Sequence, residues 1–116
     1  MAEQRSIEHF IDDILECIER NEQYSEGLSE SDFVSNTEKQ DATLRRLEVI
    51  GEAVKNIPEI VRKNFPDIPW RKIAGLRDIV IHAYFGIKPE RIWKIIKQDL
   101  PSLKIQITQV KSNFNK

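Results

Sequence analysis

The chain has 116 residues, the length of one domain, and its 18 Lys and Arg against 19 Asp and Glu leave a net charge of −1. Apolar residues make up 40% and charged residues 32%, a balance that suits amphipathic helices, while 4 Gly and 5 Pro count against a loop-rich fold or a glycine-rich phosphate cradle. One cysteine, Cys17, excludes an internal disulfide framework or a cysteine-based zinc site, and His9 and His82 are too few for a protein-only histidine metal site, so neither metal nor cofactor is expected.

The opening MAEQRSIEHF lacks the basic-then-apolar run of a signal peptide, and no apolar stretch reaches the length of a membrane span. The expectation is a soluble, reduced, cytoplasmic protein. Charge is unevenly placed: residues 1–40 hold three bases and eleven acids, a balance of −8, whereas residues 41–116 hold fifteen bases and eight acids, a balance of +7. Such a split describes either solvated helix faces or a basic second part that meets phosphate, with an acidic first part restraining non-specific binding.

In chain order the periodicity predicts helices in series. Ser6 caps a first helix over residues 7–25, where Ile7, Phe10, Ile11, Ile14, Leu15 and Ile18 form one apolar stripe. Glu26-Gly27-Leu28-Ser29 stops it, and Ser29 with Asp32 forms a capping pair for a short turn through Val34. A second long helix spans residues 37–57 on the stripe Leu44, Leu47, Ile50, Val54 and Ile57. Gly51 inside it costs about 1 kcal/mol relative to alanine, and its return is close approach by another helix. Pro58 ends this helix, and a short turn follows around residues 59–64. Pro69 starts a helix over residues 70–84, and Pro89 starts another with Ile92, Trp93, Ile95 and Ile96 on its buried side. Pro101 interrupts or kinks it, and Leu103, Ile107, Val110 and Phe114 continue the stripe. The fold expected is all-α, an antiparallel bundle of four to five helices in one domain, residues 1–116.

One predicted helix carries chemistry. Within Leu76-Arg77-Asp78-Ile79-Val80-Ile81-His82-Ala83-Tyr84-Phe85, Arg77, Asp78, His82 and Tyr84 stand among mostly apolar neighbours. Asp78 lies one turn before His82 and can orient or tune its ring. Arg77 and His82, five residues apart, diverge by about 140° at 100° per residue. They converge only if Arg77 bends round, the helix ends early, or a second subunit supplies the missing side. A histidine can move protons at the 2′-hydroxyl or the leaving 5′-oxygen of RNA, and an arginine fork can bind the phosphate; neither role needs a metal. The tyrosine can bind phosphate, stack on a base or accept a modification. The same four residues also describe a buried polar network that fixes helix packing in a structural or adaptor bundle.

Arg77-x4-His82-Ala83-Tyr84 matches the Arg-x4-His-x-Tyr motif of the HEPN superfamily, and the chain resembles its HepT-like toxins. The likeness extends through Phe10…Ile14…Cys17-Ile18, Gly51-Glu52-Ala53, the approach from Ile68 to Arg77, Tyr84-Phe85-Gly86-Ile87, and Ile92-Trp93…Asp99-Leu100-Pro101. The family often has asparagine after the motif arginine; this chain has Asp78, a carboxylate that adds repulsion beside a phosphate.

The resemblance implies a helical bundle that forms a homodimer, with the motifs of both subunits facing one cleft. It implies a metal-independent endoribonuclease, acting on RNA by 2′-hydroxyl attack, with tRNA the expected substrate. It further implies a toxin of a type VII-like HEPN/nucleotidyltransferase toxin–antitoxin pair, whose partner is an MntA-like minimal nucleotidyltransferase. Carried over by position, Arg77 and His82 are catalytic, Asp78 and Tyr84 support them, and Tyr84 is the AMPylation site. No catalytic role passes to Glu52, which serves packing and holds a polar partner near the motif helix. Arg71, Lys72, Lys88 and Arg91 are candidates for RNA backbone, with Lys94 and Lys97 beside them, while Trp70 and Trp93 can stack on bases but fit core or dimer packing better. The alternative is a non-catalytic helical subunit that binds, and is modified by, a nucleotidyltransferase partner.

Overall fold

In a computed structural model the described residues are 2–83, 85, 86 and 88–114, with side chains described from Ser6 onward. They are all-α: α1 (Ala2–Ser25), α2 (Glu30–Val34), α3 (Thr37–Lys55), α4 (Glu59–Asn64), α5 (Trp70–Ala74), α6 (Leu76–Ala83), α7 (Pro89–Lys94) and α8 (Leu100–Phe114), with a π turn at Ile95–Asp99 joining α7 to α8 in one continuous helical run. No helix among these residues is long and apolar enough to cross a membrane.

α1 packs along α3 and α8, and α3 in turn carries α5 and α6. The stripes named above close the core: Ile11, Ile14 and Ile18 from α1 meet Leu47, Ile50 and Val54 from α3, with Leu100, Ile107 and Val110 from α8, all at most 2% exposed. Two exposed ion pairs span α1 and α8, Lys104 to Glu22 at 2.8 Å and Lys111 to Asp12 at 2.9 Å; each carboxylate raises its lysine's pKa through a charge-assisted hydrogen bond.

Local chemistry sets most boundaries. α1 starts at Ala2, ahead of the expected cap, because Ala-Glu-Gln are good helix formers and extend the first turn past Ser6. It stops before Gly27, whose φ of 76° is open to glycine at little cost. Ser29 and Asp32 form the expected capping box, the Asp32 N–H donating to Ser29 Oγ at 3.1 Å and the Ser29 N–H to Asp32 Oδ2 at 3.0 Å. Asn36 caps α3 by accepting from the Lys39 N–H at 3.0 Å. Arg62 on α4 donates to the carbonyls of Val54 at 2.7 Å and Ile57 at 3.1 Å, which satisfies the end of α3.

Three segments differ from the sequence reading. The helix expected over 70–84 is broken at Gly75, so α5 and α6 are separate; Tyr84 lies outside the described residues. The Gly75 N–H still bonds to Arg71, and its carbonyl accepts from Asp78 at 3.0 Å and Ile79 at 3.2 Å, so a helix restarts directly after it. The turn at residues 59–64 is a true helix, and Pro101 sits in a continuing one. Leu100 donates to Ile95, five residues back, and this wider turn makes room for a proline ring that an α-turn would press against a carbonyl.

Candidate functional site

α3 builds the site by letting α6 come close. A Cβ on Gly51 would lie 3.0 Å from the Arg77 backbone nitrogen and 3.2 Å from the Ala74 carbonyl oxygen, so this crossing accepts only glycine without a shift. Close approach at Gly51 is therefore as the sequence suggested, and its partner is the α5–α6 junction. Glu52, the next residue, then reaches the motif helix. Its Oε1 lies 2.6 Å from Arg77 Nη1 and 4.0 Å from Lys55 Nζ. That oxygen is shut off from solvent, and the Arg77 contact is an ion pair rather than an aligned hydrogen bond.

Arg77, Asp78 and His82 are all exposed on α6. These three are therefore not buried within the packing of the chain. Asp78 is on the first turn and His82 on the last, and no hydrogen bond or ion pair joins them among the described residues. Arg77 is turned toward α3, whereas His82 is free of such a tie among the described residues. Within one chain the structure thus does not bring Arg77 and His82 together, in keeping with the 140° divergence.

Beside the motif, Ile81 on α6 is 45% exposed and Phe85, in the turn after it, is 84% exposed, two large apolar side chains that charge and motif reading passed over. Their spacing of four was the available signal. Arg71, Lys88, Arg91, Lys94 and Lys97 are exposed, as is Lys72, which pairs with Asp99 at 3.9 Å. Trp70 is buried and donates from Nε1 to Phe65 at 3.0 Å, and Trp93 packs on Phe33 with ring centroids 5.4 Å apart, so both serve the interior as expected. Cys17 is buried too, and burial pushes its thiol pKa up against the opposing pull of Arg46. A cavity of about 310 Å³ between α5, the π turn and α8 is lined by Ile73, Leu76, Ile95 and Leu100 among others, and by neither Arg77 nor His82.

The family model for HepT-like ribonucleases matches residues 14–110, from the middle of α1 into α8 with the motif helix inside it. The chain belongs to the HepT-like ribonuclease family. A relative named "Probable ribonuclease HepT" from Thermococcus cleftensis is 45% identical over 100 residues, covering 86% of this chain and 91% of that protein. A "Gamma-glutamylcyclotransferase and putative RNase" from Methanocaldococcus jannaschii is 38% identical over 112 residues, 97% of this chain. The chain spans half the length of that relative. No solved structure matches significantly. The ribonuclease class and the all-α HEPN-like bundle read from the sequence agree with this membership.

Proposed function

We propose that the chain is a metal-independent endoribonuclease that acts as a homodimer, with tRNA among its substrates. The observation that carries this is the exposed pair on α6: a held Arg77 and an untied His82 that point apart on one helix. With Arg77 held by Glu52, one chain does not aim both at one phosphate, and a second copy supplies the missing side. Two motif helices then offer two histidines. One, neutral, takes the proton of the RNA 2′-hydroxyl, whose oxygen attacks the adjacent phosphorus. The other, protonated, gives its proton to the departing 5′-oxygen. The products are a 2′,3′-cyclic phosphate and a 5′-hydroxyl. Arg77 binds the phosphate oxygens and offsets charge as it builds in the transition state. Arg71, Lys72, Lys88 and Arg91 hold the flanking backbone.

The same reading makes the protein a toxin silenced by an MntA-like nucleotidyltransferase that transfers AMP to Tyr84. Tyr84 follows His82 by two residues, so an adenylate there adds bulk and negative charge beside the phosphate site. The test is cleavage of total tRNA in EDTA by wild type and His82→Ala. Wild type alone should cut, with helical content and dimer intact in the variant. Cutting by both sinks the mechanism. If neither cuts, and intact mass shows no AMP on Tyr84, the non-catalytic subunit modified by a nucleotidyltransferase becomes the better account.

A further inference from the structure

We propose that Glu52 is a positioning residue that holds the Arg77 guanidinium ready for the phosphate; as a statement about catalysis it rests on the function proposed above. The contact joins two helices through space, Glu52 on α3 to Arg77 on α6, with 2.6 Å between Oε1 and Nη1. It differs from the pairs Arg20–Glu16 and Lys63–Glu59, which lie one turn apart on a single exposed helix face. Such surface pairs contribute little. The Glu52 oxygen, in contrast, is closed to solvent although its side chain is 46% exposed overall, so its partner is fixed by packing.

The register that creates the contact is built into the fold. Gly51 brings the Arg77 backbone to within touching distance of α3, and the next residue is the one that reaches the Arg77 side chain. Arginine has a planar fork of five N–H donors. Glu52 engages it through Nη1, and the guanidinium makes no other ion pair or hydrogen bond among the described residues. The rest of the fork stays available for a phosphate, and it stays pointed in one direction. An arginine left loose would have to be ordered at each encounter.

Charge supports the same role. One carboxylate against one guanidinium would leave no net attraction for phosphate. Lys55, 4.0 Å from the same Oε1, makes the cluster of Lys55, Glu52 and Arg77 carry +1. Lys55 also leaves Glu52 with a cation when Arg77 shares its charge with substrate. Glu52 touches no substrate in this arrangement and acts only through Arg77.

The test compares wild type, Glu52→Ala and Glu52→Gln on a fluorogenic single-stranded RNA oligonucleotide. Glu52→Ala should lower kcat by about tenfold to a hundredfold, the usual scale for a displaced catalytic group. Its KM should hold steady or fall, because a negative charge has left the phosphate site. Glu52→Gln keeps an acceptor oxygen in place and should recover most of kcat. A purely structural role predicts instead that both variants lose melting temperature and lose kcat in step with it. Wild-type kcat in Glu52→Ala overturns the proposal. A second readout does not need cleavage: the side-chain N–H signals of Arg77 in NMR spectra, assigned by their loss in Arg77→Lys. They should be resolved in wild type, where rotation about the guanidinium bonds is hindered, and averaged in Glu52→Ala. Signals unchanged by Glu52→Ala overturn the proposal even if wild type cleaves RNA. Inactive wild type with signals that respond as expected would instead place the failure in the ribonuclease reading.

Discussion

Gly51 is the residue on which the motif helix leans. The nearest neighbours of an added Cβ are backbone atoms of Arg77 and Ala74 at 3.0 and 3.2 Å, and backbone cannot swing aside as a side chain can. Alanine also gains helix propensity, about 1 kcal/mol in α3, so the two effects oppose each other. Overpacking of a tight crossing costs about 1–3 kcal/mol and should win. Gly51→Ala is therefore expected to lower the urea midpoint and to shift Arg77 away from Glu52. A midpoint equal to or above that of wild type would mean that α6 can retreat at little cost. The sequence marked Gly51 as a close-approach position, because glycine inside a strong helical pattern is an expense that needs a reason. It could not name what approaches, since residues 51 and 77 are brought together only by the packing of α3 against the α5–α6 junction.

At the scale of elements, the long amphipathic helices were legible because their apolar spacing repeats over many residues, and the Ser29–Asp32 cap because it is local. The break at Gly75 was hidden, because Ile73, Leu76 and Val80 keep an unbroken apolar spacing across it and all three are buried. The π turn left a fainter sign. Ile92, Ile96 and Leu100 are buried at successive steps of four, which drift by about 80° around an α-helix. A turn with one extra residue absorbs that drift and keeps all three facing the core. Pro101 follows it. In the interior of an ordinary helix, replacing proline by alanine should gain about 3 kcal/mol. Here the wide turn is held by the register of the buried side chains and already accommodates the ring. Pro101→Ala should therefore change stability by less than about 1 kcal/mol in thermal or urea melts. A gain near the full proline penalty would show that the proline itself forces the turn.

For the whole molecule, the charge split has a structural counterpart. The acidic first helix is paired with the last through the exposed contacts Glu22–Lys104 and Asp12–Lys111, so those two lysines already face carboxylates. Arg71 and Arg91, exposed on α5 and α7, make no ion pair among the described residues. Sequence order alone set the sign of each part but could not tell which lysines face carboxylates. The apolar pair beside the motif then bears on assembly. Ile81 on the helix of His82 and Phe85 in the turn after it present large side chains to solvent, at 45% and 84% exposure. If two copies share one cleft, this pair is the natural seam, because burying it removes water from apolar surface at about 25 cal/mol per Å². Introducing glutamate at both positions, Ile81→Glu with Phe85→Glu, places charge where the partner would sit and disturbs little in the folded chain. The double variant should keep its helical circular dichroism, sediment as a monomer where wild type is a dimer, and lose RNA cleavage. A variant that remains dimeric would move the interface to another face, and a monomeric yet cleaving wild type would remove the need for a second motif helix. The second result would also require Arg77 to leave Glu52 and turn toward its own His82, a movement that the 2.6 Å contact opposes.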